Sequence, residues 1–162
     1  MYKVIFRHIS THNAPRELLT LALLKPDLLA NPQTVNDIVA EIQQTPGLRI
    51  VKRAQLFWTR EEAEQFYDEH RGRFFFRRLV DYMTSGPVEA LALRGPQAVA
   101  LWRQMMGSTH PVRMRVTNGS CLRARYGLTD TRNSFHGSDS PQSAARELRL
   151  VFGKHVFREM ES

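Results

Sequence analysis

The segment Asn133-Ser134-Phe135-His136-Gly137-Ser138-Asp139-Ser140 places a histidine among small polar residues, directly before a capped helix. Imidazole keeps a neutral, nucleophilic nitrogen near pH 7, so His136 is the natural candidate for covalent or acid–base chemistry. Gly137 reads as room for a ligand to approach. The turn into the helix presents backbone N–H groups that favour anions. A second feature points the same way. Between residues 113 and 132 the chain carries Arg113, Arg115, Arg123, Arg125 and Arg132 against the single acid Asp130. Guanidinium groups grip oxyanions in bidentate fashion, so phosphate is the expected ligand chemistry. On spacing alone, a histidine in such a loop is as a rule structural, and such a basic stretch is about as often a solvated face.

The elements that must position these residues alternate. Leu18–Leu24 is an apolar run stopped by Lys25-Pro26, the length of a buried strand. Asn31–Gln44 carries Val35, Ile38, Val39 and Ile42 at helical spacing, with Asn31 as cap and Pro32 at the first position. After the Pro46-Gly47 turn, Leu48–Trp58 reads as a strand, and Thr59 caps a helix from Arg60 to about Asp68. A helix is expected over Phe74–Met83, a strand over Val88–Leu93, and a helix over Pro96–Met106 ending at Gly107. Residues 107–126 lack periodicity and read as a long loop. A last strand is expected over Tyr126–Thr131, and Ser140 and Pro141 open the final helix. This order predicts an α+β fold: a ferredoxin-like βαββαβ sandwich with an antiparallel four-stranded sheet and added helices.

The string from Asn133 to Ser140 resembles the active-site signature of nucleoside diphosphate kinases. Lys25-Pro26-Asp27, Tyr67, Arg73 with Phe75-Phe76, Ser85-Gly86-Pro87, Arg103, Met106-Gly107-Ser108-Thr109-His110-Pro111, Arg123 and Glu147 match that family in order. The likeness runs over about residues 18–152, and Leu128–Asn133 makes the chain most similar to the group II, type-six-like branch. The resemblance implies ping-pong transfer of the γ-phosphoryl of a nucleoside triphosphate to a nucleoside diphosphate through a phosphohistidine at His136. It implies that Glu147 holds the other ring nitrogen and that Tyr67 helps position the ring. Lys25, Arg103, Thr109 and Arg123 would meet the phosphates, Lys25 and Asn133 the ribose, and Phe75 and Leu79 the base. Mg²⁺ would bridge the phosphates, held mostly by nucleotide and water. A π face accepts any base, which would make recognition of the base broad.

Some positions depart from the family pattern. Arg123-Ala124-Arg125-Tyr126 stands where Arg-Gly-Asp-Phe is usual, and Asp130 stands where an apolar residue usually touches the base. The loop between Pro111 and Arg123 is longer than in the commonest members, and the usual carboxy-terminal tail is missing. Together these count against a hexamer and leave a homodimer or a monomer. The alternative function is a nucleotide- or partner-binding scaffold on the same fold with little or no turnover.

At 162 residues the chain reads as one domain able to bury its own core. With 42% hydrophobic and 24% charged residues it is neither disordered nor fibrous. No apolar run is long enough to span a membrane. A single cysteine, Cys121, excludes an internal disulfide framework and a cysteine-based zinc site, so secretion is not expected. The net charge of +7 draws polyanions. A nucleotide accounts for much of the arginine-rich stretch without nucleic acid, and Arg71–Phe76 lacks the alternating aromatics of an RNA-binding strand. Residues 1–17 read as a basic, acid-poor extension, weakly transit-like, before a domain over residues 18–162; the compartment expected is cytoplasmic or mitochondrial.

Overall fold

A computed structural model of the chain describes residues 17–161. The extension assigned to residues 1–17 therefore lies outside the description except for Glu17, whose carboxylate pairs with Arg49 at 2.5 Å. In chain order the elements are β1 (Leu18–Leu24), α1 (Pro26–Leu29), α2 (Pro32–Gln44), β2 (Arg49–Leu56), α3 (Arg60–Phe66), a 3₁₀ turn (Asp68–His70), α4 (Phe76–Met83), β3 (Val88–Gly95), α5 (Ala98–Met106), α6 (Pro111–Thr117), α7 (Leu122–Tyr126), β4 (Phe135–Gly137), α8 (Pro141–Phe152) and α9 (Val156–Glu161).

The four strands pair antiparallel in the order β2-β3-β1-β4. β1 is central, and its last five residues are buried. A strand covered on both faces must be apolar at every position, which is why Leu21–Leu24 reads as a run rather than an alternation. Ala22 and Leu24 face Ile38 and Ile42 of α2, Trp102 and Met106 of α5, and Leu122 of α7. Leu21 and Leu23 face Phe66 of α3, Val80 and Met83 of α4, and Leu148 of α8. α3, α4 and α8, added to the βαββαβ core, thus cover the second face of the sheet.

Local signals fix the helix starts. Asn31 Oδ1 accepts from the backbone N–H of Gln33 and Thr34. Thr59 and Glu62 form a reciprocal capping box. Ser140 Oγ accepts from the N–H of Ser143. Each such cap contributes about 1 kcal/mol.

Several sequence expectations fail here. Tyr126–Thr131 is not a strand; the fourth strand is the three-residue β4, where Phe135, His136 and Gly137 pair with Leu24, Leu23 and Ala22. Residues 107–126 are not one loop but hold α6 and α7. α6 is only seven residues long and turns Val112 (61% exposed) and Val116 (87%) outward, so it carries no inward apolar stripe to detect. The helix expected to reach Asp68 ends at Phe66 and tightens into the 3₁₀ turn, and α1 and α9 were not anticipated. α9 closes the second core with Val156 and Met160, and Arg94 donates to the Met160 carbonyl at 2.8 Å.

Candidate functional site

The register of β4 decides which way the candidate nucleophile faces. His136 is cross-strand from Leu23, so it shares that residue's face of the sheet and looks toward α8, while Phe135 points into the opposite core beside Trp102. His136 therefore sits on a strand, not in the loop inferred from sequence. Its backbone carbonyl accepts from Trp102 Nε1 at 3.0 Å. Gly137 makes that possible. A Cβ there would lie 2.5 Å from Trp102 Cδ1 and 2.5 Å from Met106 Cε, so the space read as room for a ligand is taken by the indole.

The imidazole is held from behind. His136 Nε2 lies 2.9 Å from Glu147 Oε2. The same carboxylate oxygen accepts from Ser138 Oγ at 2.7 Å, and Ser138 Oγ accepts from the Leu21 N–H at 3.1 Å. Glu147 and Ser138 are buried. A carboxylate facing Nε2 puts the ring proton on that nitrogen and leaves the lone pair on Nδ1, which has no hydrogen-bond partner among the described residues. The His136 side chain is 17% exposed. Phe66 and Tyr67 pack edge-on to the ring, with centroids 5.0 and 6.0 Å away.

Cations gather beside it. Lys25 follows β1 and is buried, its Nζ donating to Asn133 Oδ1 at 3.0 Å. Burial, then the charge of Arg123, lowers its pKa to about 7. Arg123 is also buried; its Nη1 and Nη2 donate to the carbonyls of Gly107 (2.6 Å) and Phe135 (3.0 Å). Burial and the neighbouring Arg103 lower its pKa to about 10. Arg103 is exposed on α5 and lies within electrostatic reach of both Arg123 and Asp139. The side-chain hydroxyls of Ser143 and Ser140 hold Asp139 below the usual carboxylate range. Burial raises the Tyr67 phenol, so it remains an O–H donor. Among the described residues, Tyr67 Oη and Arg123 Nε are two of three buried side-chain polar atoms without a partner. Buried donors are nearly always satisfied, so these two are exceptions in the neighbourhood of the imidazole.

The remaining candidates differ in exposure. Phe75 is half-buried, and its ring meets His70, which in turn stacks on Tyr67. Leu79 is buried in the core on which Phe75 packs. Thr109 is exposed between α5 and α6. Asn133 is buried and tied through Nδ2 to the Asp130 carbonyl at 3.0 Å.

The arginine-rich stretch divides. Arg115 donates to the carbonyls of Ala124 and Gly127 and fastens α6 to α7. Arg125, the base beside Arg123 in sequence, turns away and forks onto Glu41 of α2 at 2.6 and 2.8 Å. Asp130 is exposed and pairs with His110 Nδ1 at 3.1 Å. Trp102, Ser138 and Phe66 were not picked out as site residues. Only the HGS string itself hints at Ser138, and nothing in the sequence sets Trp102 apart from an ordinary core residue of a helix.

An open cleft of about 650 Å³ between α3 and α8 is lined by Glu61, Glu64, Gln65, Asp68, Arg71, Arg146 and Leu150. Its Arg71 pairs with Glu64 and Asp68, and no candidate residue lines it. Among the described residues, no three His, Cys, Asp or Glu side chains gather as a metal site, and no helix is long and apolar enough to cross a membrane.

Comparison with known proteins identifies the family. The family model "Nucleoside diphosphate kinase" matches residues 19–157. The chain is 46% identical over 134 residues to nucleoside diphosphate kinase 6 of Homo sapiens, covering 83% of this chain and 72% of that protein. It is 47% identical over 134 residues to the nucleoside diphosphate kinase of Deinococcus radiodurans, covering 83% and 94%. Among solved structures, the Aquifex aeolicus nucleoside diphosphate kinase superposes with a TM-score of 0.80 at 34% identity, covering 85% of this chain and 96% of that one. Sequence, fold and site geometry converge: the chain belongs to the nucleoside diphosphate kinase family.

Proposed function

We propose that the protein transfers the γ-phosphoryl group of a nucleoside triphosphate to a nucleoside diphosphate through a phosphohistidine at His136. The observation that carries this is the divided imidazole, with Nε2 tied to Glu147 and Nδ1 without a partner. In the first half-reaction the Nδ1 lone pair attacks the γ-phosphorus. The Nδ1–P bond forms, the bridging P–O bond breaks, and its electron pair leaves on the β-phosphate of the departing diphosphate. The Nε2 proton stays in place, and the buried Glu147 carboxylate stabilises the ring's developing positive charge. A second diphosphate takes the group by the reverse path.

Charge in the transition state spreads over the phosphoryl oxygens, so the protein's work is positioning and electrostatics. Lys25, Arg103 and Arg123 supply cations, Tyr67 and Thr109 supply hydroxyl donors, and Asn133 meets the ribose. Phe75, backed by Leu79, offers its face to the base. The substrate is the Mg²⁺–nucleotide complex, with the ion carried by the phosphates. Arg125 is committed to Glu41 and places no extra charge on the phosphate path.

The test is incubation with γ-labelled ATP. The protein should take up acid-labile, alkali-stable label and release it to a nucleoside diphosphate. Intact nucleotide binding without label would favour the scaffold reading.

A further inference from the structure

Ser134 is the only residue other than glycine with positive φ among those described, at +68°. Left-handed backbone is costly for a residue with a Cβ and persists only where the surroundings enforce it. Here the enforcing group is visible. Ser134 Oγ donates to Asp27 Oδ2, and the other carboxylate oxygen of Asp27 accepts from the Tyr82 hydroxyl. Tyr82 and Ser134 are buried and Asp27 is half-buried. Burial, then the Asp27 hydrogen bond, raises the Tyr82 phenol, so it stays a donor. The Ser134 carbonyl accepts from the Lys25 N–H at 2.9 Å. The strained residue thus joins Lys25 to Asn133, whose side chain holds Lys25 Nζ.

We infer that Asp27 is a positioning residue: its carboxylate holds Ser134 in the left-handed conformation and so sets Asn133 and Lys25 for the nucleotide. The inference rests on the phosphoryl transfer proposed above. An acid in the first turn of α1 would by itself be ordinary dipole complementation. But a group serving only the dipole has no reason to aim both oxygens at hydroxyls from α4 and from the segment before β4.

The consequence is selective. Neighbouring anchors hold each residue from 133 to 136. His136 has its own: the Leu23 pairing, Trp102 on its carbonyl and Glu147 on its ring. Asn133 is held otherwise by the Asp130 carbonyl, 3.0 Å from its Nδ2, and the Lys25 N–H bonds to Ser134 itself, so both lean on Ser134. Without the brace, Ser134 Oγ keeps only the Tyr126 carbonyl at 3.2 Å. Nucleotide positioning should then fail while the nucleophile stays in place.

Two phosphoryl donors separate these effects: ATP, which needs the whole site, and phosphoramidate, which needs little beyond the imidazole. With Asp27→Asn, the rate of phosphohistidine formation from ATP should fall about tenfold or more, since displacements near 1 Å cost up to ~100-fold. The rate from phosphoramidate should change less than about twofold. The Ser134 pair gives a second measure should Asp27→Asn fold poorly. Ser134→Ala loses the brace and keeps the strain; Ser134→Gly loses both. Glycine should therefore retain severalfold more ATP-dependent rate than alanine. Equal losses with both donors, unchanged ATP kinetics in Asp27→Asn, or equal rates in the two Ser134 variants would overturn the inference. If the wild-type protein takes phosphate from neither donor, the proposed function fails instead.

Discussion

If Lys25 meets the nucleotide as proposed, binding should be a proton-linked event. Its ammonium is buried, bonded to a neutral amide oxygen, and beside the buried guanidinium of Arg123. Burial first, then Arg123, brings its pKa to about 7, so near neutrality the free protein holds roughly equal charged and neutral forms. A nucleotide's phosphates favour the charged form, so binding takes up a proton above pH 7. Affinity must then fall as pH rises. The protonated fraction drops from about one half at pH 7 to about one hundredth at pH 9, so affinity should weaken by up to about 50-fold, about 2.3 kcal/mol. Arg123, at about 10, stays charged through most of this window and does not mask the effect. Titration calorimetry with ADP in buffers of contrasting ionisation enthalpy should show about half a proton taken up per ADP at pH 7 and close to one at pH 8.5. In Lys25→Met, affinity should be low already at pH 7 and change little toward pH 9. Constant wild-type affinity over this range, or net proton release, would refute the reasoning.

Glu147→Gln leaves a partner for Nε2 but removes the charge that stabilises the imidazolium; the rate of phosphohistidine formation should fall about 10²-fold with little change in ADP affinity, measured by rapid quench and calorimetry. Gly137→Ala forces a Cβ into Trp102 and Met106, so thermal melting should show a loss of about 2 kcal/mol or more, together with loss of activity. Arg125→Ala breaks an exposed pair with Glu41 and should leave kcat/KM within about twofold and stability within about 1 kcal/mol.

Much of this site was legible as residue types and little of it as geometry. β1, α2 and the start of α8 carry local signals strong enough to read: a doubly buried apolar run, an Asn-Pro cap and a Ser-Pro cap. β4 carries none. Three residues cannot display a period, and what makes Phe135–Gly137 a strand is pairing with β1, more than a hundred residues earlier. Tyr126–Thr131, the expected last strand, finds no strand partner. Trp102 was readable as a core residue; that its N–H also fixes the His136 carbonyl depends on how α5 crosses β4. Asp27 and Ser134, 107 residues apart, meet only in the folded chain. The arginine-rich stretch misleads for a related reason. Sequence cannot tell that Arg115 fastens α6 to α7, nor that Arg123 spends Nη1 and Nη2 on backbone carbonyls and leaves Nε without a partner.

The central claim is that Glu147 occupies Nε2 of His136 and leaves Nδ1 to take the phosphoryl group. Phosphorus–nitrogen correlation by NMR on the ¹⁵N-histidine-labelled protein, charged with ATP, identifies the bonded nitrogen directly. The predicted result is a single phosphohistidine joined through Nδ1 and absent in His136→Asn. A phosphorus bonded to Nε2, or label that survives the loss of His136, would contradict the account.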